Sequence, residues 1–144
     1  MIHFSSVGEY MLEDELEKLV IKYKIDDKKA ITYGHFNVKT NFVLPLPGIT
    51  IYEQTGLNFF FIYFDKNGIT FFPLNEKNQV ISKSFISWND IKDFKYKNGL
   101  LLEDEMIINL NNETLKVKIA KFKACNEWLK DNNAYLKSNN HFYK

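Results

Sequence analysis

The 144-residue chain has no arginine: all 19 basic residues are lysine, and with 18 acids the formal net charge is +1. Arginine's planar fork is the preferred group for bidentate recognition of phosphate, carboxylate or guanine, so a site of that design is not expected. The balanced charge supplies no overall field to gather nucleic acid or anionic membrane. Cysteine occurs once, at Cys125, which excludes an intramolecular disulfide and agrees with a reducing, cytoplasmic setting. The longest apolar run, Phe59 to Phe64, is far too short to cross a bilayer. The opening Met-Ile-His-Phe-Ser-Ser has neither the basic head nor the apolar stretch of a secretory signal. The 6 glycines are scattered among turns, and no phosphate loop, dinucleotide fingerprint or nucleophile elbow occurs.

What remains is ordinary globular material, 45% hydrophobic and 26% charged, long enough to bury a core as one domain. Its 16 asparagines and its lysine, isoleucine and phenylalanine are what AT-rich codons write, which points to a low-GC bacterium or its phage.

Residues from Ser6 to Lys24 read as an amphipathic helix. Leu12, Leu16, Leu19, Val20 and Tyr23 fall on one face, and acids crowd the first half while Lys22 and Lys24 end it. The acids Glu9, Glu13, Asp14, Glu15 and Glu17 are read as a solvated face. From Ala30 the period changes to two, giving a first strand to about Val38. Asn58–Phe64 and Ile69–Leu74 flank Asp65-Lys66-Asn67-Gly68, a hairpin in which Gly68 is expected at a left-handed position. Val80–Ser87 and Asp90–Lys97 follow as strands, and Asn98-Gly99 predicts a two-residue hairpin. Strands through Met106, Ile108 and Leu110 and through Leu115, Val117 and Ile119 turn at Asn111-Asn112-Glu113. A closing helix over Lys121–Lys137 places Phe122, Cys125, Trp128, Leu129 and Leu136 toward one side. The fold class is α+β, mostly β: about seven antiparallel strands, curled or sandwiched, between an N-terminal and a C-terminal helix.

Three stretches of this pattern resemble the bacterial pleckstrin-homology-like (PH-like) domains. The run Phe59–Phe72 resembles the family's apolar strand, short turn and second apolar strand. Ile86, Trp88, Ile91 and Phe94 resemble its spaced apolar and aromatic segment, and a hairpin and a Trp-bearing helix follow. The resemblance implies two near-orthogonal sheets of seven strands closed by a C-terminal helix. It spans roughly residues 28–138, with residues 1–27 as an added helix and connector and 139–144 as a tail. It also implies a non-catalytic binding or scaffold module. The lipid-binding members carry a basic cluster around the first hairpin; here only Lys39 stands there, beside Pro45-Leu46-Pro47, so phosphoinositide binding is not expected.

No catalytic set emerges from the residues. His3, His35, His141 and Cys125 are not at metal-ligand spacing, no metal or cofactor is predicted, and both end histidines are placed near mobile termini. Cys125 reads as a small buried hydrophobe. Glu103-Asp104-Glu105 could furnish paired carboxylates, but a charged turn is the expected reading. Lys92, Lys95, Lys97, Lys116 and Lys118 form a candidate basic surface. Phe94 and Tyr96 should face away from it, so no nucleic-acid stacking platform is expected. The apolar stretch Phe42-Val43-Leu44-Pro45-Leu46-Pro47-Gly48-Ile49 is broken by proline and has no evident place in a sheet. Such a loop either tucks under the domain or stays exposed as a contact patch, and on the second reading Phe42, Val43, Leu44, Leu46 and Ile49 are the expected partner-binding residues. The function these signals favour is a small interaction module binding an unidentified protein partner. By analogy of size and composition, bacterial immunity or phage interference with a host would suit it. A peripheral membrane module is the alternative, and an enzyme of unrecognised type comes third.

Overall fold

The computed structural model describes residues 4–37, 57–80, 82–100, 102–111, 113–121 and 127–143. Helix α1 (Phe4–Lys22) is followed by strands β1 (Ile31–Asn37), β2 (Leu57–Asp65), β3 (Gly68–Pro73) and β4 (Ser84–Ser87). Strands β5 (Asp93–Lys97), β6 (Glu103–Asn109) and β7 (Thr114–Ala120) come next, then helix α2 (Glu127–Ser138). The strands join in one antiparallel sheet of order β4-β3-β2-β1-β7-β6-β5. Strand β1 links the two meanders, pairing β2 along its length and β7 through Gly34↔Ile119 and His35↔Lys118.

The sheet folds over on itself. From β2 to β5 there are four strand steps, about 19 Å in a flat sheet at about 4.8 Å per step. Yet the Phe64 ring of β2 lies 6.3 Å from the Phe94 ring of β5. The enclosed face carries Phe60, Ile62, Ile69, Met106, Ile108 and Val117, all buried. On the opposite face of β1–β3, Ile31, Phe61 and Phe72 pack with Leu12, Leu16 and Leu19 of α1. This explains the unbroken Phe59–Phe64 run: a strand covered on both faces has no reason to alternate.

Helix α2 is fastened by polar bonds as well as by Leu129 and Leu136. Asn132 Nδ2 donates to the Ile31 carbonyl at 2.8 Å and to the Lys28 carbonyl at 3.1 Å. Asn133 Nδ2 donates to the Ala120 carbonyl at 2.7 Å, while its Oδ1 accepts from the Thr32 hydroxyl. Thr32 and Asn133 are buried, so Thr32→Val would leave that amide oxygen without its donor. The expected loss is about 1–3 kcal/mol by urea unfolding. A loss within experimental error would show that this bond does not hold the helix.

Several sequence expectations are corrected. The predicted strand from Val80 is shorter, Ser84–Ser87, with Val80 making only an isolated bridge to Leu74. The predicted strand start at Asp90 is displaced by a 3-10 turn at Trp88–Asp90, capped by the Ser87 side chain accepting from the Asn89 N–H. Asn98-Gly99 does not make a two-residue hairpin, because the β5–β6 pairing begins only at Lys97↔Glu105. Gly68 has a positive φ (158°) that side chains rarely adopt, though not the left-handed helical value, and pairs with Asp65 across the turn. Its lack of a side chain matters for space: a Cβ there would lie 2.1 Å from the Ile86 carbonyl oxygen. Glu15, read as part of a solvated face, accepts from the Val80 N–H at 3.0 Å and ties α1 to the sheet.

Candidate functional site

The described residues offer two places where side chains converge beyond the needs of the core. The first surrounds the β5–β6 connection. The expected charged turn Glu103-Asp104-Glu105 belongs to β6, and its alternation turns Asp104 inward beside Met106 and Ile108. Asp104 is 1% exposed. Its Oδ2 accepts from the Tyr96 hydroxyl at 2.7 Å and lies 3.1 Å from Lys137 Nζ. Its Oδ1 accepts from the Gly99 N–H at 2.7 Å, and Lys121 Nζ stands 3.9 Å away. Burial works to raise the Asp104 pKa, but the hydrogen bonds from Gly99, Tyr96 and Lys137 and the Lys137 charge outweigh it, leaving the carboxyl below its ordinary value. The same surroundings raise the Tyr96 pKa, burial first and the Asp104 hydrogen bond next.

This cluster clamps the connection. Lys121 Nζ also donates to the Gly99 carbonyl at 2.9 Å, so both main-chain polar groups of Gly99 are held. A Cβ at Gly99 would lie 1.7 Å from the Glu103 carbonyl oxygen, which excludes larger residues from the clamp as built. Just beyond it, Leu100 is 98% exposed and Leu102 65%. The clamp therefore sits beside two leucines, Leu100 and Leu102, that point to water.

His141 sits beside the same cluster, 4% exposed, contrary to the expectation that it lies near a mobile end. Its ring stacks on Tyr96 at 4.4 Å and meets Phe64 and Phe94 at 5.2 and 5.6 Å. Burial, helped by the nearby Lys137 charge and opposed by Asp104, lowers its pKa to about 4. Asn140, His141 and Phe142 all take left-handed backbone (φ 52°, 54° and 61°), a tight reversal that returns the chain onto the core.

The second place is a cleft of about 520 Å³ at the end of β4. Three rings, Phe85, Trp88 and Tyr143, line it, with Trp88 and Tyr143 centred 5.2 Å apart. Asn67, Ser87 and Asn89 add polar groups, and Lys66 is the one charged residue in the lining. The Trp88 indole N–H donates to the Asp65 carbonyl at 2.9 Å, and the Trp88 main-chain N–H donates to the Asn67 carbonyl at 3.1 Å. The Asp65 carboxylate caps its own turn, accepting from the N–H groups of Asn67 and Gly68.

The other sequence candidates are dispersed. Phe42, Val43, Leu44, Leu46 and Ile49 lie outside the described residues, as does Cys125. Lys95 and Lys97 alternate with the inward Phe94 and Tyr96 on β5. Across β6, Lys95 and Lys116 flank Ile107, while Lys97 and Lys118 flank Glu105. Lys92 is exposed just ahead of β5. The basic face is partly offset, since Glu105 lies 3.4 Å from Lys118 and Asp93 lies 3.9 Å from Lys95. Glu103 reaches His35 Nε2 at 2.6 Å on the outer side of the sheet. Among the described residues no group of three His, Cys, Asp or Glu is placed to hold a metal ion. Nor is any described helix long and apolar enough to cross a membrane. No protein-family model, curated protein or solved structure matches the chain.

Proposed function

We propose that the chain is a non-catalytic, PH-like binding module that recognises a protein partner. The observation carrying the reading is the exposed pair Leu100 and Leu102, which stand in water beside Gly99 and Asp104, themselves held by each other and by Lys121 and Lys137. Side chains next to anchored neighbours lose little freedom on docking, and a few apolar anchors carry most of an interface's energy. The PH-like part rests on the resembling segments, to which the strand order and the helix on β1 and β7 lend support. Ile86, Ile91 and Phe94 of those segments enter the core, as a fold-determining pattern requires.

The test is the double variant Leu100→Ser and Leu102→Ser. Its stability should stay within about 0.5 kcal/mol of the original, because exposed substitutions perturb folding little. Capture of a protein partner from bacterial lysate, scored against the unaltered chain, should fall at least about tenfold. Undiminished capture by a folded double variant rejects the leucine pair as the binding surface. The peripheral-membrane alternative is favoured by Lys95, Lys97 and Lys116, exposed on the neighbouring strands. Loss of binding to anionic vesicles by the same variant, with protein capture unchanged, would put that alternative first.

A further inference from the structure

The cleft beside β4 has features that the leucine pair does not share. Phe85 and Ser87 lie two residues apart on β4 and both line it, whereas Ser84 and Ile86 turn the other way and are buried. Cleft and strand edge thus form one continuous surface. Strand β4 ends the sheet order, and among the described residues no strand pairs with its outer edge. An unpaired edge offers main-chain donors and acceptors to an added strand. Phe85, 49% exposed, is set directly on that edge strand.

The walls are fixed before any ligand arrives. Trp88 is tethered to the β2–β3 turn through both its indole and main-chain N–H groups, and its ring packs edge-on against Phe94 at 5.5 Å. With its one polar atom engaged, the indole can offer only ring surface, which suits an aromatic or apolar group. The charge is one-sided: Lys66 lines the cleft without an acid, and the adjoining Asp65 carboxylate is turned onto the amides of its own turn. Among the described residues Lys66 forms no ion pair, so a carboxylate on the ligand would complement it.

We propose that this cleft and the outer edge of β4 bind an extended peptide in which an aromatic side chain is followed by an acidic residue. The peptide main chain pairs with β4, the aromatic ring enters between Phe85, Trp88 and Tyr143, and the carboxylate meets Lys66. A free nucleotide would use the rings equally well, but its phosphates would find a single exposed lysine and none of the helix N-terminus or arginine contacts that bind them. The inference extends the protein-binding reading to a second surface, and its test uses different residues from the leucine pair.

The probes are three blocked hexapeptides, acetyl-Thr-Val-Phe-Glu-Val-Thr-amide and its Phe→Ala and Glu→Gln counterparts, titrated into isotope-labelled full-length protein and followed by amide and indole NMR shifts. The parent peptide should saturably shift the Trp88 indole N–H and the amides of Phe85 to Ser87. Replacing its phenylalanine should weaken binding at least about tenfold. Replacing its glutamate should weaken binding about two- to five-fold, the value of an exposed ion pair. In the protein, Lys66→Gln should erase the glutamate preference and keep the phenylalanine preference, while Phe85→Ala should weaken the parent peptide. Both residues are exposed, and unchanged amide shifts elsewhere in the sheet will show that the variants are folded. No binding by the parent peptide, equal binding of all three, or shifts centred on Leu100 and Leu102 would each overturn the proposal. Loss of the leucines while β4 still binds the peptide would remove the first surface and leave this one standing.

Discussion

Replacing Asp104 by alanine should lower stability by about 3 kcal/mol, the largest effect expected of any single polar substitution in this chain. Removing one partner of a buried ion pair commonly costs about 3–5 kcal/mol, because the remaining charge is stranded away from water. Here Lys121 and Lys137 both keep part of their side chains in solvent, so the expected loss lies toward the lower bound. Most of it comes from the Gly99 N–H and the Tyr96 hydroxyl, which would lose their acceptor. Asp104→Asn keeps the shape and one oxygen acceptor and should cost distinctly less. Urea unfolding measures both variants, and amide exchange at Gly99 should accelerate in the alanine variant. A loss below about 1 kcal/mol would mean that the acid does not organise the loop. Acid should reproduce the effect: the Asp104 pKa is depressed in the fold, so its contribution is present above the unfolded value of about 4 and is lost as pH falls through the folded value.

A second large effect is expected at milder acidity. His141 has its pKa lowered from 6.5 to about 4, mainly by burial among Phe64, Phe94 and Tyr96. Above pH 6.5 the imidazole is neutral in both folded and unfolded chains, and it contributes no slope. Between the two values the unfolded chain binds a proton that the folded chain refuses, so stability falls as pH falls. At about 1.4 kcal/mol per unit, the whole interval costs about 3 kcal/mol and then levels below pH 4. His141→Phe keeps an aromatic ring on Tyr96 and removes the titration. Its stability should be nearly flat over the same interval, before Asp104 begins to protonate. A wild-type curve equally flat there would show that the imidazole accepts its proton without leaving the core.

Much of the architecture can be read from the residue pattern because apolar periodicity is a local signal. The β6–β7 hairpin falls where Met106 and Ile108 alternate against Leu115 and Val117, and α1 buries Leu12, Leu16 and Leu19 as its spacing demands. The candidate sites were much less legible, since they depend on polar residues with distant partners. Asp104 between two glutamates looks like a solvated turn, and only Tyr96, Lys121 and Lys137, brought in by β5, the end of β7 and α2, make its burial tolerable. Asn132 and Asn133 look like an exposed helix face until Ile31 and Thr32 of β1, Lys28 just before it and Ala120 of β7 supply the carbonyls and hydroxyl they bind. One clue was available: Asp104 has the same parity as Met106 and Ile108, so extending the alternation by one step places it inside. The histidine at the end of the chain carried no such hint, because its position follows from three successive left-handed residues that no period encodes.

The two-sided burial of β2 has a consequence for how the chain comes into being. Helix α1 leaves the ribosome before the strands it covers, and Phe72 of β3, in the face it packs on, lies roughly fifty residues downstream of Leu19. At synthesis rates of about 5–20 residues per second, its leucine stripe waits roughly 3–10 s for a surface to settle on. The aromatic outer face of β1–β3 has the reverse problem, for it is adhesive whenever the helix is away. A chain with its opening helix trimmed should therefore accumulate in inclusion bodies, while the same helix supplied as a separate peptide during refolding should return part of it to solution.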